Sequence, residues 1–411
     1  MIRRNIPMTR RAFLQDSAVA SLAGCSATAL STSASAPARS PGKRHYRIGV
    51  IGSTGRGDYG HGLDTAWFAF RNCEIVALAD DNEKGRAEAE KRLGLKKSFS
   101  DYREMLDEAK PDIACVCPRW VDQHHDMALA AAERGIHIYM EKPFVPTLEQ
   151  ADEVVAACDG NGVKLALALR THYSPKLARV KQLIADGVIG QVLEYRCRGK
   201  EDHRGGAEDL WVLGIHVLDM IRFLAGHPSW CFAHMCQNGE PVSKKHLVDG
   251  DEGIGPLAGD VVYATWGMPD ATVAYFGSRR KAMGDPSRYA LQILGTEGII
   301  EIREGTLPSV KYLDDPSWCP GRSGAQWQDV SSAGIALPEP LSGPQYEARH
   351  ALGIRDLLSS IENSRPPLCN VHESLAVTEM IISVFESHRQ RKPVSLPLET
   401  RDHPFTMPFQ V

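Results

Sequence analysis

The apolar positions of the chain fall into two regimes. Up to about residue 168, short apolar runs at 48–51, 74–79, 112–117, 136–140 and 164–168 alternate with stretches rich in Glu, Lys, Arg and Ala at 83–93, 100–108, 123–134 and 149–158. Strands apolar on both faces, each followed by a helix after a short link, predict a parallel, doubly wound sheet. Beyond residue 169, runs at 192–198, 229–236, 261–265, 272–278, 289–294 and 299–303 alternate with one wet face and follow one another through short turns. That pattern predicts a large, open, mainly antiparallel sheet, with helices at 176–186, 211–224, 346–360 and 372–387. An open sheet offers its uncovered face to a partner, so a homo-oligomer through this sheet is expected. The Gly-, Ser-, Pro- and Trp-rich stretch 305–344 reads as a surface excursion.

The first apolar strand breaks into Gly52-Ser53-Thr54-Gly55-Arg56-Gly57. A strand entering a glycine-rich turn ahead of a helix is how a dinucleotide fold grips a pyrophosphate. The backbone comes close to the phosphates and the helix N-terminus supplies free N–H groups. Gly52 and Gly57 fit the outer positions of G-x-G-x-x-G, whereas Thr54 stands at the middle one. Its hydroxyl either adds a phosphate hydrogen bond or crowds the pyrophosphate, and a plain glycine turn fits the same residues. Asp80, at the end of the second strand, is placed to bond the adenosine ribose hydroxyls and to repel a 2′-phosphate, which favours NAD over NADP. Asp81 and Asn82 also suit a helix N-cap.

A length of 411 residues suits two domains, divided here as 45–168 and 169–411. The net charge of −4, with no basic stripe, gives no reason to expect a nucleic-acid partner, and no internal apolar run is long enough to span a membrane. Ahead of the first domain, Thr9-Arg10-Arg11-Ala12-Phe13-Leu14 and the Ala-rich stretch after it resemble a twin-arginine export signal. Ala34-Ser35-Ala36 offers a cleavage site, giving a signal segment 1–36 and a linker 37–44. Leu22-Ala23-Gly24-Cys25 instead offers a lipobox that would make Cys25 a lipid anchor. Both place the protein in the periplasm, free or tethered. The ten cysteines show no disulfide framework; Cys115 and Cys117 share one strand and most others sit in apolar runs, as buried free thiols do. No metal site is expected.

At Glu141-Lys142-Pro143 the pattern becomes specific, and the chain from about residue 45 onward resembles the Gfo/Idh/MocA oxidoreductases. The resemblance rests on 48–52, Pro118 with His124, Glu141-Lys142-Pro143, Gly187-Val188-Ile189-Gly190, Gly214-Ile215-His216 with Asp219, Gly295-Thr296-Glu297-Gly298, and Val394 to Pro397 with His403-Pro404. It implies an N-terminal Rossmann domain, a C-terminal α/β domain and a sugar or polyol bound over the nicotinamide. It further implies that Lys142 and His216 handle the substrate proton, and that Pro118, His124, Glu141 and Arg170 lie on the cofactor side. His172 and Tyr173 follow the last Rossmann strand and are expected in the pocket. Lys200 and His203, in a polar segment at a strand end, either bind sugar hydroxyls or form a solvated loop. The family often carries an aspartate four residues before the histidine; here Val212 stands there, and the acids are displaced to Glu208 and Asp209. Asp209 is the residue expected to reach the substrate.

Three readings follow. The first is a dehydrogenase acting on a sugar, polyol or glycoside hydroxyl. The second is an NAD-dependent glycoside hydrolase or lyase that oxidises C3 transiently. The third is a non-catalytic sugar or NAD binder, motivated by Thr54 and Val212. Export in the folded state would carry the cofactor out with the protein, so a tightly retained NAD is expected.

Overall fold

The computed structural model describes residues 44–410; the twin-arginine segment, Cys25 and the linker up to Lys43 lie outside the described residues. Strands β1 (Tyr46–Ile51), β2 (Cys73–Ala79), β3 (Ser98–Phe99), β4 (Ile113–Val116), β5 (His137–Met140) and β6 (Leu165–Leu167) form one sheet in the order β3-β2-β1-β4-β5-β6. Every pairing in it is parallel. The strands bury both faces: Ile48, Val50, Ile113 and Cys115 pack in one layer, and Ile51, Ala114, Val116 and Ile138 in the other. The strand order reverses between β1 and β4, the place where such a sheet opens a crevice beyond its strand ends. Helices Glu83–Leu93, Tyr102–Ala109 and Leu148–Asn161 start on capping side chains, Asn82, Asp101 and Thr147, each of which accepts a hydrogen bond from a first-turn N–H.

The α-helix expected after β1 does not form. Residues 52–72 run as turns around a single 3₁₀ turn, Ala66–Ala69. Gly55, Gly57, Gly60 and Gly62 all take positive φ, which a right-handed helix cannot use. Ser53 and Asp58 exchange backbone hydrogen bonds of 3.1 and 3.0 Å across a tight loop. Leu63 and Trp67 are buried in the layer that holds Ile48 and Val50.

The second half forms a ten-stranded sheet. Its strands are β7 (Val192–Arg198), β8 (Trp230–Gln237) with β9 (Glu240–Pro241), β12 to β17 and β18 (Val394–Ser395), while β10 (Val248–Gly250) and β11 (Gly255–Leu257) make a separate hairpin. The remaining strands are β12 (Val261–Gly267), β13 (Val273–Arg279), β14 (Ala290–Gly295), β15 (Gly298–Ile302), β16 (Val310–Asp314) and β17 (Gln328–Asp329). Only β7 and β13 pair in parallel; the rest are antiparallel. Helix Val371–Gln390 docks on this sheet. Ser387 accepts a hydrogen bond from the Ala233 N–H at 2.9 Å, and the Trp266 indole N–H donates to Ser383 at 3.1 Å. Alternate residues face outward, leaving Trp230, Phe232, Tyr263 and Tyr275 exposed.

Stretch 305–344 is more than a surface excursion, because β16 and β17 extend the sheet and bury Val310, Tyr312, Leu313 and Val330 nearby. The helix expected over 211–224 begins earlier and is interrupted: Ala207–Asp209 is α, Leu210–Gly214 is a π turn, and Ile215–Ala225 is α. The nine described cysteines are free thiols; Cys73, Cys236 and Cys319 are half-buried and the others buried.

Candidate active site

A crevice of about 170 Å³ opens beyond β1 and β2, lined by Gly52, Ser53, Asp80, Asp81, Tyr102 and Arg103 among others. Asp80 is buried there, and its carboxylate is already engaged. It accepts from the Thr54 hydroxyl at 2.7 Å, from the Thr54 N–H at 3.2 Å and from the Asn82 N–H at 3.0 Å. The expected ribose ligand is therefore also the clamp on the glycine-rich loop, and exposed Asp81 shares the crevice wall. Thr54 fits because the facing helix carries Gly85, where a Cβ would stand 1.9 Å from the Thr54 hydroxyl oxygen. Gly52 is required by Tyr59, whose ring would meet an added Cβ at 2.3 Å. Gly57 packs on the segment after β4, with only 2.3 Å between a built Cβ and the Arg119 nitrogen. Arg56 stacks on Trp120 at 5.1 Å and pairs with Asp122, so this side chain fastens the loop across the crevice. Gly55 donates its N–H to Asp58 at 2.9 Å.

Lys142 sits at the end of β5 with Glu141 beneath it. Glu141 is buried, pairs with His61 and accepts the Lys142 backbone N–H at 2.9 Å. Burial pushes this carboxyl up, but the bond from His61 and the charge of Lys142 outweigh it, and Glu141 is held well below the usual carboxylate range. His124, also buried, lies between the carbonyls of Pro118 and Pro143 at 2.7 Å each. It straps two loops together and does not line the cavity.

The Lys142 ammonium donates to the carbonyl oxygen of Val212 at 2.8 Å, and the Tyr289 hydroxyl donates to the next carbonyl, that of Leu213, at 2.6 Å. Both carbonyls belong to the π turn Leu210–Gly214. Burial lowers the proton affinity of Lys142. One turn on, burial holds His216 at about 4, so its imidazole is neutral near pH 7. Its buried Nδ1 has no hydrogen-bond partner and lies 3.8 Å from Glu304. Glu304 is ion-paired with Arg170; although burial pushes its carboxyl up, His216 and Arg170 hold it at about 2.

These groups line one cavity of about 330 Å³ together with His61, Arg119, Lys200, Arg204, Glu252 and Arg349. Of the residues expected near the substrate, Lys142, Lys200 and His216 are on its wall, joined by Arg170, which was expected on the cofactor side. Four others are elsewhere. His172 is buried and bonded to Asp219 at 2.8 Å, with the Cys369 thiol close by. Tyr173 donates to the Leu167 carbonyl at 2.8 Å. Asp209 accepts from the Lys200 and Glu201 N–H groups and from the Ser278 hydroxyl, which fixes the loop after β7. His203 projects into solvent beside Asp202. Glu304, Arg349, Tyr289, Glu252, Arg119 and His61 were not anticipated. Glu304 alone had a usable signal, as an acid just beyond a strand end.

A Gfo/Idh/MocA family model described as an oxidoreductase family NAD-binding Rossmann fold matches residues 46–169, and one described as the C-terminal alpha/beta domain of the same family matches residues 181–396. A levoglucosan dehydrogenase from Pseudarthrobacter phenanthrenivorans is 28% identical over 250 residues, 54% of this chain and 63% of that protein, so the match spans less than two thirds of its length. A scyllo-inositol 2-dehydrogenase (NAD(+)) from Bacillus subtilis is 27% identical over 377 residues, 87% of this chain and 98% of that protein. Among solved structures, a levoglucosan dehydrogenase in complex with NADH and levoglucosan superposes with a TM-score of 0.69 at 21% identity, covering 86% of this chain and all of that one (100%).

Proposed function

Because the chain belongs to the Gfo/Idh/MocA oxidoreductase family, we propose that it oxidises a hydroxyl of a sugar, polyol or glycoside. The observation that carries this reading is the convergence of Lys142 and His216, two buried bases held toward their neutral forms, on one polar cavity beside the dinucleotide crevice. The residues present fit NAD: a crevice lined by Gly52, Ser53 and two adjacent acids at one end, and an unpaired imidazole nitrogen in the cavity at the other. The loop 52–57, Asp80, Asp81 and Arg119 would hold it. When bound, NAD supplies the acceptor for the hydride that leaves the substrate carbon. The protein's part is the proton. Lys142, anchored to Val212 by one hydrogen bond, takes the hydroxyl proton when its amine is neutral. His216 offers Nδ1 as a second acceptor, and Glu304 stabilises the imidazolium if a proton arrives there. The test is NAD reduction against a panel of sugars, polyols and glycosides, followed at 340 nm, with Lys142→Met as control. No reduction with any member would sink the proposal.

Two further parts of this reading are ours. The exposed aromatic face of the sheet, with Tyr263 opposite His234 and Tyr275 opposite Arg196, supports a homo-oligomer through that face; a monomer by light scattering at micromolar concentration would refute it. Twin-arginine export, ending in cleavage at Ala36 or a lipid on Cys25, accounts for the paired arginines Arg10 and Arg11. An exported enzyme has no ready pool of NAD to exchange with, so the cofactor stays bound through many turnovers, and the hydride it takes up is handed on within the site, either to a second sugar or back to the same substrate. Protein purified without added nucleotide should release NAD on denaturation, and an empty site would refute retention.

A further inference from the structure

The chain as a whole is acidic, at −4, yet the wall of the catalytic cavity carries six cationic side chains, Arg119, Lys142, Arg170, Lys200, Arg204 and Arg349, against two carboxylates, Glu252 and Glu304. Most of these cations are matched. Glu304 pairs with Arg170, and Asp202 pairs with Arg204 at 2.7 Å and with Lys200 at 3.5 Å. Lys142 has the Val212 carbonyl and, behind it, Glu141. Among the described residues, Arg119 and Arg349 have no carboxylate within ion-pair distance. Arg119 follows β4, with its backbone against Gly57 of the glycine-rich loop, and so belongs with the nucleotide phosphates. Arg349 remains. It immediately precedes helix Ala351–Glu362, whose N-terminus adds positive potential.

Resting on the dehydrogenase reading, we propose that the substrate is an anionic sugar, one bearing a carboxylate or a phosphate, and that Arg349 seats the anion. A guanidinium on a cavity wall with no carboxylate loses hydration when a neutral sugar closes over it, and the sugar's hydroxyl oxygens return only weaker, neutral-acceptor hydrogen bonds. A carboxylate or phosphate replaces that hydration with paired, charge-assisted hydrogen bonds of matching geometry. Arg349 is an exposed residue on this wall, and its part-burial together with the charge of Arg170 on the same wall lowers its proton affinity. Glu304 cannot serve both, since it is committed to Arg170 and faces His216.

The experiment is calorimetric titration of the full chain, saturated with NADH so that the nucleotide's own phosphate contacts are filled. The probes are glucose and galactose, their uronates and their 6-phosphates, at constant ionic strength. At least one anion should bind ten-fold or more tightly than its neutral parent. Arg349→Gln should bring that anion down to the parent's affinity, and Arg349→Lys should keep part of the preference. Tighter uronate than phosphate identifies a carboxylate seat, and the reverse a phosphate seat. Equal binding of neutral and anionic members, no binding of any, or a preference that survives Arg349→Gln would overturn the proposal. Turnover is measured separately. An anion preference without NAD reduction by any member would remove the dehydrogenase reading and leave the anion seat standing.

Discussion

The side-chain nitrogen of Lys142 is held 2.8 Å from the main-chain oxygen of Val212, so the ammonium faces a carbonyl dipole and not a carboxylate. A dipole stabilises the charged lysine less than an anion does, while burial works against the charge. Sugar oxidation should therefore rise with pH through a base whose pKa lies below the 10.5 of an ordinary lysine. A pH–rate profile between 6 and about 11 checks this; a limb at or above the ordinary value would show that Lys142 is not the base. Lys142→Met should abolish turnover and leave NAD binding within a few fold, by fluorescence titration.

His216→Ala should lower kcat by roughly 10²–10⁴ if the imidazole moves a proton. Glu304→Gln should cost less, about ten-fold to a hundred-fold, because it removes charge from beside His216 and unpairs Arg170 without removing the base. Steady-state kinetics of both variants decide. A Glu304→Gln enzyme with unchanged kcat and raised KM would assign that residue to substrate binding alone.

What the residues foretold and what they hid divides along physical lines. The doubly wound sheet, the open antiparallel sheet and the strand-end position of Lys142 follow from periodicity and a local motif, and these were legible. The missing helix after β1 was legible only in part: the run from Gly52 to Gly62 contains too many glycines for a helix, but the turn motif masked that count. Glu304 reaches Arg170 from 134 residues away through the pairing of β14, β15 and β7. No local pattern encodes such a meeting. His172 was misplaced because position after a strand does not say which way a ring points; Asp219 takes it into the core.

Thr54 and Gly85 form a matched pair, which a double-mutant cycle can expose. Gly85→Ala alone should destabilise the protein by about 1–3 kcal/mol, since its Cβ overlaps the Thr54 side chain. In a Thr54→Gly background the same change should become neutral or stabilising, as alanine normally is in a helix. Denaturant midpoints of the four proteins check the sign reversal.

Asp80→Ala should narrow the preference for NAD over NADP. It should also weaken both nucleotides, because Thr54 and Asn82 lose their acceptor. Dissociation constants for the two cofactors measure both effects. A narrowed preference with undiminished NAD affinity would show that the clamp on the loop is dispensable.

Stability should fall as pH drops from about 6.5 toward 4. Burial holds His216, His350, His388 and His403 at about 4, below the ordinary 6.5. Between these values the unfolded chain binds more protons than the folded one, so each site withdraws stability as pH falls, on the order of a few kcal/mol when complete. His172 opposes this. Burial alone would lower it, but Asp219 raises it above 6.5, and its contribution is full in acid and lost as pH rises through the raised value. Melting temperature against pH should show the net acid decline; a flat profile from pH 7 to 4 would refute it.

The π turn Leu210–Gly214 sets the angular phase between two halves of one helix. Each residue of an α-helix advances the side-chain direction by about 100°, so one surplus residue offsets everything before it from everything after it by that amount. Upstream, Asp209 points at Ser278 and locks the loop after β7; downstream, His216 points into the cavity. Deleting a single residue between them would force one of these two directions to be surrendered, whatever side chains remained. The segment therefore acts as a gear tooth, and its residue count matters more to the site than the identity of any of its apolar side chains.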